Sequence, residues 1–173
     1  MIEYPFAAEW EIPEYKLRFL QNSIKNDFDR LISQEFTAIN SSGVKYYLTI
    51  HPNGDKPENR GKSKIRLYVK LGNENKVEAE YKFTIESANW SYKINYIYDR
   101  YNGYGIPCCI VNKLFDPKKK FIVDERCTVK VKGIFKIKNN ELPPKGIENF
   151  CGLWNKGYED FSIVVDKKEI KVC

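Results

Sequence analysis

Residues 77–85 read Val77-Glu78-Ala79-Glu80-Tyr81-Lys82-Phe83-Thr84-Ile85, an unbroken alternation of apolar and polar side chains. Successive strand residues point to opposite faces, so this pattern predicts a strand with one face in a core and the other in water. The same period recurs on either side. Val44, Tyr46, Leu48 and Ile50 alternate with Lys45, Tyr47 and Thr49, and Ile65, Leu67, Val69 and Leu71 alternate with Lys64, Arg66, Tyr68 and Lys70. Cys127, Val129, Val131, Phe135 and Ile137 share one parity against Thr128, Lys130, Lys132, Lys136 and Lys138, with Gly133 as an expected bulge or bend. Turn chemistry separates these runs at Pro52-Asn53-Gly54-Asp55, Gly72-Asn73-Glu74-Asn75 and Asn102-Gly103-Tyr104-Gly105. Short alternating strands without a βαβ rhythm predict an all-β antiparallel sandwich of about eight strands.

One stretch departs from this period. Leu17, Leu20, Ile24, Phe28 and Leu31 are spaced as on a helix, but no capping residue precedes them. The spacing predicts either a short helix or a loop flanking a strand. Residues 139–150, with Leu142-Pro143-Pro144-Lys145-Gly146, read as a linker. Beyond it, Phe161-Ser162-Ile163-Val164-Val165 and Glu169-Ile170-Lys171-Val172 flank Asp166-Lys167-Lys168, which predicts a terminal hairpin.

Composition narrows the chemistry. The 173 residues carry 29 Lys and Arg against 23 Asp and Glu, a net charge of +6, with 42% hydrophobic residues. That is a mildly basic globular chain. No apolar run approaches the ~18 residues that cross a bilayer, and the N-terminus shows no signal peptide, so an intracellular location, nucleus or cytoplasm, is expected. The five cysteines, Cys108, Cys109, Cys127, Cys151 and Cys173, form no CxxC pair, which argues against a disulfide framework and a structural zinc site. His51 is the single histidine and sits at a turn, so a nucleophile–histidine arrangement has one residue to draw on. No phosphate-cradling GxxxxGK[ST] is present, and Glu78, Glu80, Asp124 and Glu125 read as solvated charges rather than an acid–base pair. The expectation is a protein that is not an enzyme and uses no metal or cofactor.

The aromatic residues point to binding. Tyr68 lies on the polar parity of its strand, and Tyr92, Tyr96, Tyr98, Tyr101 and Tyr104 crowd residues 92–104 among polar neighbours. Tyrosine is stiff and amphipathic, which suits a peptide-binding edge, though Tyr98 is expected to pack inside. The lysine stripe Lys130, Lys132, Lys136 and Lys138 offers a competing reading as a single-strand nucleic-acid groove. Lysines on an exposed strand face also serve simply to block edge pairing.

Several segments together resemble the MATH (meprin and TRAF homology) domain over residues 4–138. They are Glu9-Trp10-Glu11-Ile12, Tyr46-Tyr47-Leu48-Thr49-Ile50-His51-Pro52-Asn53-Gly54, Ile65-Arg66-Leu67-Tyr68-Val69-Lys70-Leu71, Ala79-Glu80-Tyr81-Lys82-Phe83-Thr84-Ile85, Tyr104-Gly105 before Cys109-Ile110, and Cys127-Thr128-Val129-Lys130-Val131. Residues 151–173, from Cys151-Gly152-Leu153-Trp154-Asn155 through the terminal hairpin, resemble the opening of a BTB/POZ domain, as follows MATH in the speckle-type POZ protein family. The resemblance implies a substrate adaptor for a cullin-dependent ubiquitin ligase, binding short Ser/Thr-rich motifs in a shallow groove. It maps that groove onto Tyr68, Tyr81, Tyr96, Tyr104 and Ile106. Tyr104 stands where the family often has Trp, and Tyr81 and Ile106 where it often has Phe, which implies a more polar pocket. The helices that dimerise BTB and touch the cullin are not in this chain, so it is expected to act as an adaptor fragment or competitor. A TRAF-type signalling adaptor and a basic aromatic nucleic-acid module are the alternatives.

Overall fold

The computed structural model describes residues 1–23 and 29–138, and the backbone of strands at 162–165 and 168–171. Internal contacts divide the chain into two units, Met1–Lys138 and Asn139–Cys173. In the first unit the described strands are β1 (Ile2–Pro13), β2 (Leu31–Ile32), β3 (Phe36–Ile39), β4 (Val44–His51), β5 (Lys62–Lys70), β6 (Val77–Ile85), β7 (Trp90–Tyr98), β8 (Asn102–Ile110) and β9 (Arg126–Ile137). Two short helices join them, α1 (Glu14–Leu20) and α2 (Val111–Leu114). One sheet has the order β1-β9-β6-β7 and the other β2-β4-β5-β8, with β3 beside β2 along β4. All pairings are antiparallel, so the expected sandwich is what forms. The surplus over eight strands comes from two-residue β2, too short to show a period.

The core is built by the parities read above. Leu48, Ile50, Ile65, Leu67 and Val69 from one sheet face Ala79, Phe83, Val129, Val131 and Phe135 from the other, all buried. Phe6 on β1 stacks on Phe135 at 4.0 Å between centroids. Removing this apolar area from water, about 25 cal/mol per Å², supplies the main drive to fold. In the second unit, β10 (Ser162–Val165) pairs antiparallel with β11 (Lys168–Lys171), the hairpin expected there. Ile24 and Phe28 of the helical spacing, the linker over 139–150 and Cys151-Gly152-Leu153-Trp154-Asn155 lie outside the described residues. Among those described, no helix is long and apolar enough to cross a membrane.

Three expectations need correction. Of the two readings of the helical spacing, the short helix forms over Glu14–Leu20 with Leu17 buried, but Leu31 belongs to β2. The missing side-chain cap is made good by the main chain, since Glu14 N–H donates to Glu125 O at 2.8 Å. Gly133 is no bulge, because β9 runs past both β1 and β6 without a register shift. Gly133 instead permits close approach, for a Cβ there would lie 2.6 Å from Tyr81 Cβ. Finally, the polar parity of β4 is solvated only at Lys45: Tyr47, Thr49 and His51 are buried as deeply as their apolar neighbours. The turn after β4 folds back over that face, where Asp55 takes an ion pair from Arg66 and another from Lys64 at 3.1 Å.

Asp124 and Glu125 turn the chain into β9 with φ of 51° and 61°, between reciprocal Val123–Arg126 hydrogen bonds of 2.9 and 3.1 Å. This is the mirror-image turn that suits a hairpin and favours Asn-Gly over two acidic residues. Glu125→Gly should therefore raise the unfolding free energy by about 1 kcal/mol, read from urea denaturation. Gly133→Ala should lower it by about 1–3 kcal/mol, because the new methyl meets backbone rather than a movable side chain.

Candidate functional site

β7 and β8 are the facing edge strands of the two sheets, and the aromatic residues gather along this flank. Tyr98 points inward from β7 and is fully buried. Its hydroxyl donates to Leu67 O across the sandwich at 2.9 Å. Tyr81 on β6 is 4% exposed, and its hydroxyl lies 3.2 Å from both Tyr98 Oη and Tyr104 O. The Tyr98 proton is committed to Leu67 O and the Tyr81 proton to Tyr104 O. Burial pushes both phenols above their ordinary pKa, which keeps them neutral donors.

Tyr96 is the next inward residue toward the rim. Its ring stacks on Tyr104 of β8 at 3.9 Å and 14°, and sits edge-on to Tyr98 at 4.8 Å. Asn102 Nδ2 donates to Tyr96 Oη at 3.0 Å. Tyr104 is 40% exposed and half-buried Ile106 follows on the same face of β8, opposite Ile65. Four of the residues marked by the resemblance thus share one flank: Tyr96, Tyr104 and Ile106 at its surface, Tyr81 beneath them.

Tyr68 stands apart, on the outer face of β5. It stacks on Tyr47 at 5.0 Å and 3°, with Tyr101 tilted against it at 6.0 Å. Tyr47 and Tyr101 share a hydroxyl–hydroxyl hydrogen bond, and burial together with that bond raises the Tyr47 pKa. Arg30 lies over the Tyr68 ring at 5.4 Å; its Nη1 donates to Tyr68 Oη at 3.2 Å, and Arg66 Nη1 does so at 3.4 Å. Tyr68 Oη accepts twice and keeps its own proton for a further partner. Gly103 on β8 lies opposite Tyr68, and a Cβ there would overlap the Tyr68 ring. The glycine lets the ring lie across β8, one residue from Tyr104, so β8 joins the two clusters.

Sequence reasoning missed Arg30 and Tyr47 in this outer cluster. Tyr47 was within reach of it, since an antiparallel register that pairs Leu48 with Leu67 also pairs Tyr47 with Tyr68. Arg30 comes from the stretch whose apolar spacing reads as helical, and that spacing carries no signal of a site. Two lysines of the stripe are paired with carboxylates. Lys130 pairs with Glu86 at 3.1 Å and Glu9 at 3.7 Å, and Lys136 with Glu80 at 2.6 Å and Glu3 at 3.6 Å. Among the described residues no cluster of three or more His, Cys, Asp or Glu could hold a metal ion.

Comparison with known proteins returns a family and a fold likeness. A comparison with curated proteins finds no match. Among solved structures, Notothenia coriiceps TRAF5 aligns over 73% of this chain and 72% of that one, at 18% identity and a TM-score of 0.49. The family model of the MATH domain matches residues 8–132, the span that carries both sheets and the whole aromatic flank. By that match the chain belongs to the MATH domain family.

Proposed function

We propose that this protein-interaction module holds a short Ser/Thr-rich peptide against β8, without catalysis, with Tyr68, Tyr96, Tyr104 and Ile106 as contacts and Tyr81 as the floor. The observation that carries this reading is the Tyr96–Tyr104 stack, an aromatic pair left accessible at the rim while its undersides are packed. A rigid, half-desolvated aromatic pair grips an apolar side chain at little entropic cost. Tyr68, with a proton to donate and two arginines behind its oxygen, suits a neighbouring hydroxyl on the peptide. Tyr81 supports the wall from below by holding the Tyr104 carbonyl.

Groove docking fits better than strand addition. On the β8 edge the Gly103 N–H is taken by Asn102 Oδ1 at 2.8 Å. Pro107 and the irregular pairing beyond it shorten the edge further. Side chains would therefore carry the binding, at an affinity on the order of micromolar. The BTB-like sequence from residue 151 supports an adaptor, or a competing fragment, in cullin-dependent ubiquitination. The paired lysines on the opposite sheet count against a nucleic-acid module.

The test is fluorescence polarisation with a labelled Ser/Thr-rich peptide. Tyr104→Ala and Tyr96→Ala should each weaken binding about tenfold or more, while Tyr68→Phe, which keeps the ring, should weaken it a few-fold through the lost hydrogen bond. Lys130→Gln should leave it unchanged. Equal affinity in all of these variants would sink the groove. Tyr98→Phe serves as a structural control, expected to cost about 1 kcal/mol of stability through the unsatisfied Leu67 carbonyl.

A further inference from the structure

Beyond Ile106, β8 does something ordinary strands do not. Lys64 pairs with Pro107 and Ser63 with Cys109, so Cys108 is an extra residue in the strand. Neighbouring strand residues normally face opposite ways. The bulge cancels that alternation and brings the Cys108 and Cys109 sulfurs to 3.8 Å. Cys108 is buried, its thiol 3.4 Å from Ser63 O. Cys109 is half-buried and lines a cavity of about 510 Å³. Trp90 and Phe121 give that cavity an apolar wall; Lys62, Lys113 and Lys119 stand around it, and no carboxylate lines it.

We propose that Cys109 is a modification site for small anionic disulfides, drawn in by the three lysines and held against the aromatic wall. The Cys109 thiolate attacks one sulfur of the disulfide, whose S–S bond breaks. One half stays on Cys109 as a mixed disulfide, and the other leaves as a thiolate that takes a proton from water. The disulfide is the oxidant, so the step balances. The surroundings favour attack from this sulfur: a hydrogen bond from Cys108, then Ser63 and Lys113, lower the Cys109 pKa against the raising effect of burial. Cys127, by contrast, is buried and pushed up to about 12. Cys108 is a positioning residue here rather than a resolving one. Consecutive Cα atoms lie about 3.8 Å apart across a trans peptide, short of the usual disulfide range of about 4.4–6.8 Å. A Cys108–Cys109 bond would be strained, so the adduct persists.

The experiment treats the full chain with 5,5′-dithiobis(2-nitrobenzoate), an anionic disulfide, or with neutral 2,2′-dithiodipyridine. Sites are then mapped by tryptic mass spectrometry. Residues 101–113 carry Cys108 and Cys109, residues 127–130 carry Cys127, and Cys151 and Cys173 fall in other peptides. The anionic probe should label Cys109 at least about tenfold faster than Cys127. Added salt, or the combined change Lys62→Gln, Lys113→Gln and Lys119→Gln, should slow the anionic probe several-fold and barely affect the neutral one. Cys108→Ala, which removes the donor, should move the midpoint of the pH–rate profile at Cys109 up toward the ordinary thiol value of about 8.5, whereas Cys108→Ser, which keeps one, should not. Equal rates at Cys109 and Cys127, or an anion preference that survives loss of the lysines, would overturn the assignment. So would a chain lighter by two hydrogens in place of the adduct.

Discussion

The hydroxyl of Tyr98 is the constraint on which the binding flank depends. A phenol buried in an apolar core must find an acceptor or forfeit a hydrogen bond worth more there than in water. Tyr98 finds it in the Leu67 carbonyl, on the sheet opposite its own. That single bond sets how far apart β7 and β5 can stand. The Tyr81 hydroxyl repeats the device one strand over, reaching from β6 to β8. Edge strands of a sandwich are free to splay. Here two internal polar ties hold the flank at a spacing that lets Tyr96 and Tyr104 meet face to face. The geometry of the surface is thus dictated from beneath it.

Much of this was legible in the residues. β5, β6 and β9 declared themselves by alternation, and their inward parities are those buried. Harder to read was whatever depends on a remote segment. Thr49 looks solvent-facing on β4 and is buried, on the face over which the turn that carries Asp55 folds back. Tyr81 poses the most instructive case. Its parity marks core and the family resemblance marks site; the buried hydroxyl that holds the Tyr104 carbonyl accommodates both. Gly133 reads locally as a break, but the reason for it lies on the neighbouring strand, in Tyr81.

The two outer faces of the sandwich handle charge differently. On the β1-β9-β6 face, Lys136 of β9 sits between Glu3 of β1 and Glu80 of β6, and Lys130 between Glu9 of β1 and Glu86 just past β6, in exposed cross-strand pairs screened by solvent. On the β4-β5 face buried Asp55 serves Lys64 and Arg66 together and is bonded by Asn59 Nδ2 at 2.7 Å, while Glu35 pairs with Lys70 and, at 3.5 Å, with Lys45 at the far end. Arg30 stands nearby with a ring and a hydroxyl for company and, among the described residues, no carboxylate. Residual positive potential therefore collects around Tyr68, beside the proposed groove.

β8 presents Gly103 to the outer cluster and Tyr104 to the inner flank, and this handedness continues until the extra residue at Cys108 resets it. The strand therefore tolerates length changes unequally along its course. One residue lost between Tyr101 and Tyr104 would swap the two sides, setting a tyrosine where only glycine fits under the Tyr68 ring. One residue lost at Cys108 would merely straighten the strand and leave everything upstream in register. Variation in chain length among relatives of this fold has a natural place to accumulate on β8, on the far side of Pro107 from the aromatic residues.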